Sequence, residues 1–213
     1  MKIDKNRMIV TIESEPGSRG EEIAHELSRM IGVPCYGKEI LDVAAQISGI
    51  SAKLLHRYDG RTVYAAYDLT AEDEASIKIP PARDFITAQV VACKRISEDG
   101  PCILVDRHAS AALADNENQI SIFIHADFES RAREYALEKG LDMAEAEKLL
   151  KKTDRAYHSY YAGNNRNWGR ADQYDFCINA SACEPDKLAG VIAAFLEDAV
   201  GQTLMTRAQQ NAM

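Results

Sequence analysis

Cysteine pairing is the first thing missing from this sequence. Cys35, Cys93, Cys102, Cys177 and Cys183 form an odd, scattered set without a C-x-x-C spacing. That excludes a disulfide framework and points to reduced, mostly buried thiols in a cytoplasmic protein. The five histidines are just as scattered, so no metal site built by the protein alone is expected. No stretch approaches the ~20 apolar residues of a membrane span, and no early run suits a signal peptide. Positive charge is also short: 25 Lys and Arg stand against 33 Asp and Glu, a net charge of -8 at pH 7. Broad binding to nucleic acid or to an anionic membrane is therefore not expected. Internal repeats and low-complexity runs are absent. What is present is ordinary for a globular chain: 213 residues, 46% hydrophobic and 27% charged. That is enough for one α/β domain with a full core.

The rest of the chain is arranged around Met8 to Ile31. Met8-Ile9-Val10-Thr11-Ile12 is a short apolar run rich in β-branched residues, as a buried parallel strand requires. Glu13 to Gly20 is a polar loop with two glycines, and Ile23, Leu27, Met30 and Ile31 then recur at helical spacing. A glycine-bearing turn from strand to helix aims backbone N–H groups at one point, where the helix dipole also favours an anion. Yet the loop lacks the lysine and the Ser or Thr of G-x-x-x-x-G-K-[ST]. Ser18 and Glu21 spell S-x-x-E, a capping box, which would put Glu21 near the anion. Two like charges ~4 Å apart repel by roughly 4 kcal/mol at an effective dielectric of about 20. One charge-assisted hydrogen bond returns about 1.5–3 kcal/mol, so several amides or a metal must offset the repulsion.

Further on, strands are expected at Val33–Tyr36, Cys102–Val105, Ile120–Ile124 and Tyr174–Ile178, with helices over 38–48, 82–98, 128–139 and from Asp142 to about Tyr161. A last helix follows Pro185. Arg61 to Pro81 reads as a mobile insert and residues 203–213 as a flexible tail. Strands alternating with helices imply a parallel sheet covered on both faces. Ligands then bind beyond the carboxyl ends of the strands. This brings the loop at 13–20, Asp106-Arg107-His108 and His125 to one edge.

With those strand ends in place, the chain resembles the cytidylate kinase-like family of P-loop proteins from about Ile9 to Leu196. Thr11 to Ile23 is similar to the family's T-I-S-R-E-F-G-S-G-G-R-E-I loop. Gly32-Val33-Pro34-Cys35-Tyr36 with Lys38-Glu39-Ile40 resembles G-I-P-F-Y-D-K-E-L, and Gly100 to Arg107 resembles G-P-C-V-I-V-G-R. Phe123-Ile124-His125-Ala126, Lys152-Thr153-Asp154-Arg155, Tyr160-Tyr161, Trp168-Gly169 and Tyr174 to Asn179 complete the set.

The resemblance implies a three-layer α/β fold: a five-stranded parallel sheet in the order 2-3-1-4-5, helices on both faces, and a lid. It implies one domain over 1–202, with an acceptor-binding region at 37–85 and a lid-like region at 128–172. The activity it implies is ATP-dependent phosphoryl transfer to a nucleoside monophosphate or another small phosphorylated acceptor, with magnesium. Carried over by position, Gly17, Ser18, Arg19, Gly20, Glu21 and Glu22 surround the donor phosphates. Arg107 becomes the acceptor contact, and Arg131 and Arg155 flank the lid. Arginines suit this chemistry, which depends on positioning and on neutralising spread charge. Several positions depart from the pattern. Gly20 and Glu22 stand where the true kinases have lysine and threonine, Glu21 replaces an arginine, Asp106 replaces a glycine, and a lid arginine falls on Tyr157. The alternative reading is therefore a decayed kinase that binds a nucleotide or phosphorylated metabolite as a regulator. A purely structural role, through a homo-oligomer contact at Tyr157, Tyr160 and Tyr161, is the third. Trp168 is expected to pin the lid-like loop.

Overall fold

The computed structural model describes residues 3–59, 82–162 and 168–201. The insert expected at 61–81, Arg166 in the lid-like loop, and the tail from 203 lie outside the described residues. Five parallel strands form one sheet, and its order is the one expected, β2-β3-β1-β4-β5. They are β1 (Ile9–Ser14), β2 (Cys35–Tyr36), β3 (Cys102–Val105), β4 (Gln119–His125) and β5 (Phe176–Asn179). All six residues of β1 are buried, as befits a central strand paired on both edges. Its Ile12 lies opposite Val105 on β3 and Ile122 on β4.

Side chains alternate across β1, and the two faces meet different helices. Met8, Val10 and Ile12 pack with Ile23 and Leu27 of α1 (Gly20–Ile31) and with Leu188 and Ile192 of α8 (Pro185–Val200). Ile9 packs on the other face with Ile40 and Leu41 of α2 (Glu39–Ser48), Leu55 of α3 (Ala52–Tyr58) and Phe85 of α4 (Ala82–Glu98). The short α5 (Ala109–Ala112), not expected from the sequence, follows β3. Beyond Ile9 that face turns polar. The Thr11 hydroxyl lies 3.3 Å from that of Ser110 and accepts from Gln119 Nε2 at 3.0 Å. Glu13 follows, with no exposure at all.

Two more helices, α6 (Phe128–Lys139) and α7 (Met143–Ala162), rise beyond β4. Both start on an aspartate: Asp127 accepts from the Ser130 amide (2.8 Å) and Asp142 from the Glu145 amide (2.9 Å). Trp168 is buried beneath them, stacked on Tyr161 with ring centroids 5.0 Å apart and edge-on to Phe123. Among the described residues no helix is long and apolar enough to cross a membrane.

Candidate functional site

The loop from Ser14 to Gly20 closes only because it carries glycines where it does. A Cβ on Gly20 would lie 2.4 Å from the Ser14 side chain, and one on Gly17 (φ 79°) 2.6 Å from the Arg131 carbonyl oxygen. The chain after β1 is held to the end of β4, where the Glu15 amide donates to the Ile124 carbonyl (3.0 Å) and the Ala126 amide to Glu15 Oε2 (3.1 Å). The expected capping box does not form. Ser18 is buried and its hydroxyl donates inward to the Ile124 carbonyl (3.4 Å), while the residue flanking α1 is Arg19 at φ 61°, without a side-chain cap. The physical reason is the tight curl of the loop, which spends Ser18 on the strand end and puts a left-handed residue at the helix start. Among the described residues, the amides of Gly17, Arg19, Gly20 and Glu21 are assigned no acceptor. Orphan donors at a helix start converging on one point make an anion cradle.

Glu21 does not plug that cradle. Its Oε1 lies 3.1 Å from where a Cβ on Gly37 would stand, and Arg107 Nη1 lies 3.8 Å from the same point. The carboxylate has turned toward the start of α2. Arg19, the residue nearest to a lysine replacement, is turned away as well. It donates to Glu22 (2.9 and 3.2 Å) and to Glu184 (3.1 Å), with Glu134 at 3.9 Å.

A cavity of about 720 Å³ opens in front of the loop, between α1 and the pair α6 and α7. Glu15, Glu21, Glu22 and Asp106 line its loop end, and Glu26, Glu134 and Glu138 line the rest. The lysine and arginine in its wall are Arg19 and Lys139, and Lys139 is paired with Glu138 at 2.6 Å. A smaller cavity of about 220 Å³ lies on the far side of Gly17 to Arg19, against Ser130, Arg133 and Ser181.

The candidate arginines fall into different settings. Arg107 is buried; it donates to Asp59 through Nε (3.2 Å) and Nη2 (2.6 Å), and to the Val105 carbonyl through Nη1 (3.1 Å). Arg131 is buried beside the loop, where it donates to both Asp154 oxygens (2.8 and 3.1 Å) and to the Pro16 carbonyl (3.1 Å), with Glu15 at 3.3 Å. Arg155 is exposed on α7, donates to its own helix at the Lys151 carbonyl (3.2 Å), and is not in the wall of the cavity. Tyr157, two residues on, is in that wall. Two residues are about 200° apart on a helix, so only one of the two can face the cleft.

The turn after β3 holds three consecutive non-glycine residues at positive φ: Asp106 (57°), Arg107 (50°) and His108 (61°). Each costs on the order of 1–2 kcal/mol, and such outliers persist where surrounding bonds over-determine them. Here the Asp106 amide donates to the Ile12 carbonyl (2.8 Å), the Ala109 amide to the Asp106 carbonyl (3.0 Å), and the Ser14 amide to Asp106 Oδ1 (3.1 Å). Burial pushes the Asp106 carboxyl up to about 6 despite Arg107 beside it. Burial likewise pushes Glu13 up to about 7, opposed by the hydroxyl of Tyr174, which donates to Glu13 Oε2. His108 is buried against the Tyr161 ring, and burial lowers it to about 4, so its imidazole is neutral at pH 7.

Amides without a backbone acceptor at a helix start are the donors a phosphate group would need, while Gly17 and Gly20 serve the loop's own close contacts with Arg131 and Ser14. Among the described residues, no three His, Cys, Asp or Glu side chains are grouped to hold a metal ion. Magnesium in phosphate sites takes one or two carboxylates and completes its shell with phosphate and water. Asp106, which lines the cavity and accepts from the Ser14 amide at the head of the loop, would be such a carboxylate.

A model of the cytidylate kinase-like family matches residues 9–182. The chain belongs to the cytidylate kinase-like family. No curated protein matches it. Among solved structures it is similar to an uncharacterized protein from Eubacterium ventriosum (TM-score 0.65, 23% identity, covering 89% of this chain and 98% of that one). It is also similar to shikimate kinase from Bacteroides thetaiotaomicron (0.55, 10%, 89% and 98%) and to a gluconokinase from Sinorhizobium meliloti (0.51, 10%, 93% and 96%). These likenesses show the fold, which this chain shares with shikimate kinase and gluconokinase. For a member of this family, the features that sequence reasoning missed are Asp59 and Asp154. Asp59 carries no motif, and Asp154 stands in the Lys152-Thr153-Asp154-Arg155 block without anything there to say what it pairs with; they meet Arg107 and Arg131 from 48 and 23 residues away.

Proposed function

We propose that this cytidylate kinase-like protein transfers a phosphoryl group from Mg·ATP to a small phosphorylated acceptor such as a nucleoside monophosphate. The reading rests above all on one observation: unassigned amides at the start of α1 face a cavity of about 720 Å³ at the carboxyl edge of the sheet. The amides of Gly17, Arg19, Gly20 and Glu21 would hold the donor phosphates, and Asp106 the magnesium that neutralises them. Arg107 would orient the acceptor, and Arg131 would stiffen the loop from α6. Bound ATP and magnesium supply the reacting phosphate and its charge compensation. The protein supplies alignment and exclusion of water, which is where phosphoryl-transfer catalysis comes from.

A second reading, a nucleotide-binding regulator that has lost turnover, is favoured by the internal pairing of Arg19, Arg107 and Arg131 with carboxylates. Two measurements separate the two. Mg·ATP at 100 times its dissociation constant should stabilise the fold by about 2.7 kcal/mol, read as a rise in melting temperature. A coupled assay should then show ADP release that depends on a monophosphate from a panel beginning with cytidine monophosphate. Stabilisation without ADP release selects the regulator, and no stabilisation defeats both readings.

A further inference from the structure

Resting on the acceptor-side reading of Arg107, we propose that Asp59 is an internal stand-in for the acceptor's anionic group, a phosphate or carboxylate, which must displace it to bind. The geometry is that of ligand recognition. Arg107 presents the Nε and Nη2 edge of its guanidinium to the two Asp59 oxygens at 3.2 and 2.6 Å, the fork-to-fork pairing arginine offers to carboxylates and phosphates alike. The remaining nitrogen is committed to the Val105 carbonyl, so the edge held by Asp59 is the one a ligand can use.

Charge makes the exchange necessary. Asp59, Asp106 and Glu21 act together on this spot around one guanidinium. An anion arriving with Asp59 in place meets excess negative charge. After Asp59 leaves, it meets a desolvated cation. Placement says which partner moves. The Arg107 side chain is 7% exposed and anchored in the turn after β3, whereas Asp59 is 22% exposed and follows the last residue of α3. Arg131 makes the contrast. Its partner Asp154 lies within the long helix α7, and Glu15 and Pro16 hold the same guanidinium, so that pair is a brace. An acceptor without an anionic group has nothing to offer Arg107 in exchange.

If the paired state predominates, the apparent affinity of the acceptor is lowered by the fraction of protein in which Arg107 is free. Removing the charge with Asp59→Asn should therefore tighten anion binding by about ten- to a hundredfold. Calorimetric titrations of the full chain would use inorganic phosphate, cytidine monophosphate and succinate, with cytidine as the uncharged control. The expected result is tighter anion binding in Asp59→Asn, cytidine unchanged, and loss of the gain in the double variant with Arg107→Gln. A gain confined to phosphate and cytidine monophosphate assigns a phosphate acceptor, and one confined to succinate a carboxylate acceptor. No gain with any anion overturns the proposal. Should Asp59→Asn fail to fold, the NMR resonance of the Arg107 Nε–H in the wild type decides. It moves on saturation with the binding anion if Asp59 is displaced, and an unmoved resonance overturns the proposal. Mg·ATP is titrated into the same samples. Absent ATP binding sinks the proposed function, while the exchange at Arg107 is read independently of it.

Discussion

Glu13 points from β1 into the face covered by Phe123, Trp168 and Tyr174, with Oε2 on the Tyr174 hydroxyl and Oε1 without a partner among the described residues. Its carboxyl is pushed from 4.5 up to about 7, chiefly by burial. Between those values the folded protein holds a proton that the unfolded chain has released, so stability falls as pH rises from about 4.5 through 7. The loss is on the order of 3 kcal/mol at 1.36 kcal/mol per pKa unit. Asp106, pushed up to about 6, works in the same direction; His108, lowered to about 4, works in the opposite one, costing stability as pH falls below 6.5. The informative quantity is a difference. Relative to wild type in urea melts, Glu13→Gln should gain stability as pH rises from about 5 to 7 and level off above that, and a flat difference would show that Glu13 is not buried as a neutral acid. In the sequence Glu13 looked like one of several loop carboxylates. The pairing of β1 between β3 and β4 is what takes it out of water.

At the scale of elements, periodicity carried far. The helix over 82–98 stands at the residues its apolar spacing marks, the helix expected over 128–139 forms there, and the Asp142 cap forms as its pattern implies. The α1 start shows the limit of such local signals. S-x-x-E at Ser18 is a sound capping pattern, but the Gly17 turn and the Ile124 carbonyl compete for the same hydroxyl and win. The role proposed for the loop depends on that defeat, because an uncapped helix start leaves its amides open to a ligand. Gly20→Ala tests the close approach directly. Its Cβ would meet the Ser14 side chain at 2.4 Å, which the loop can relieve only by opening. Crowding of this kind costs roughly 1–3 kcal/mol. A modest drop in melting temperature together with at least about a tenfold loss of Mg·ATP affinity is expected; unchanged affinity would move the donor site elsewhere.

For the molecule as a whole, a net charge of -8 and a cleft walled by carboxylates set an unusual condition for the proposed binding of polyphosphate. Metal-free ATP meets like charge, and the screening length is about 30 Å at 0.01 M salt against about 8 Å at 0.15 M. Raising salt over that range should therefore strengthen binding of metal-free ATP, the reverse of the usual weakening of anion binding, while Mg·ATP should respond less. Isothermal titration at the two salt concentrations, with and without magnesium, reads both slopes. Tighter binding of metal-free ATP at the lower salt would mean that the cradle amides and arginines outweigh the acids around them.

A parallel sheet covered on both faces was legible in the sequence, because hydrophobic period and right-handed crossovers leave an alternating α/β chain few alternatives; the strand order 2-3-1-4-5 came with the family resemblance. So was the family, through blocks spaced along nearly the whole chain. What each charged side chain does was not legible. Asp59 reaches Arg107, Asp154 reaches Arg131, and Tyr174 reaches Glu13 across 48, 23 and 161 residues. Pairings over such separations follow from which loops the sheet brings together and how much water is left between them. Only the folded chain sets that distance and that dryness, and they decide whether an arginine is free to take a ligand or is already taken.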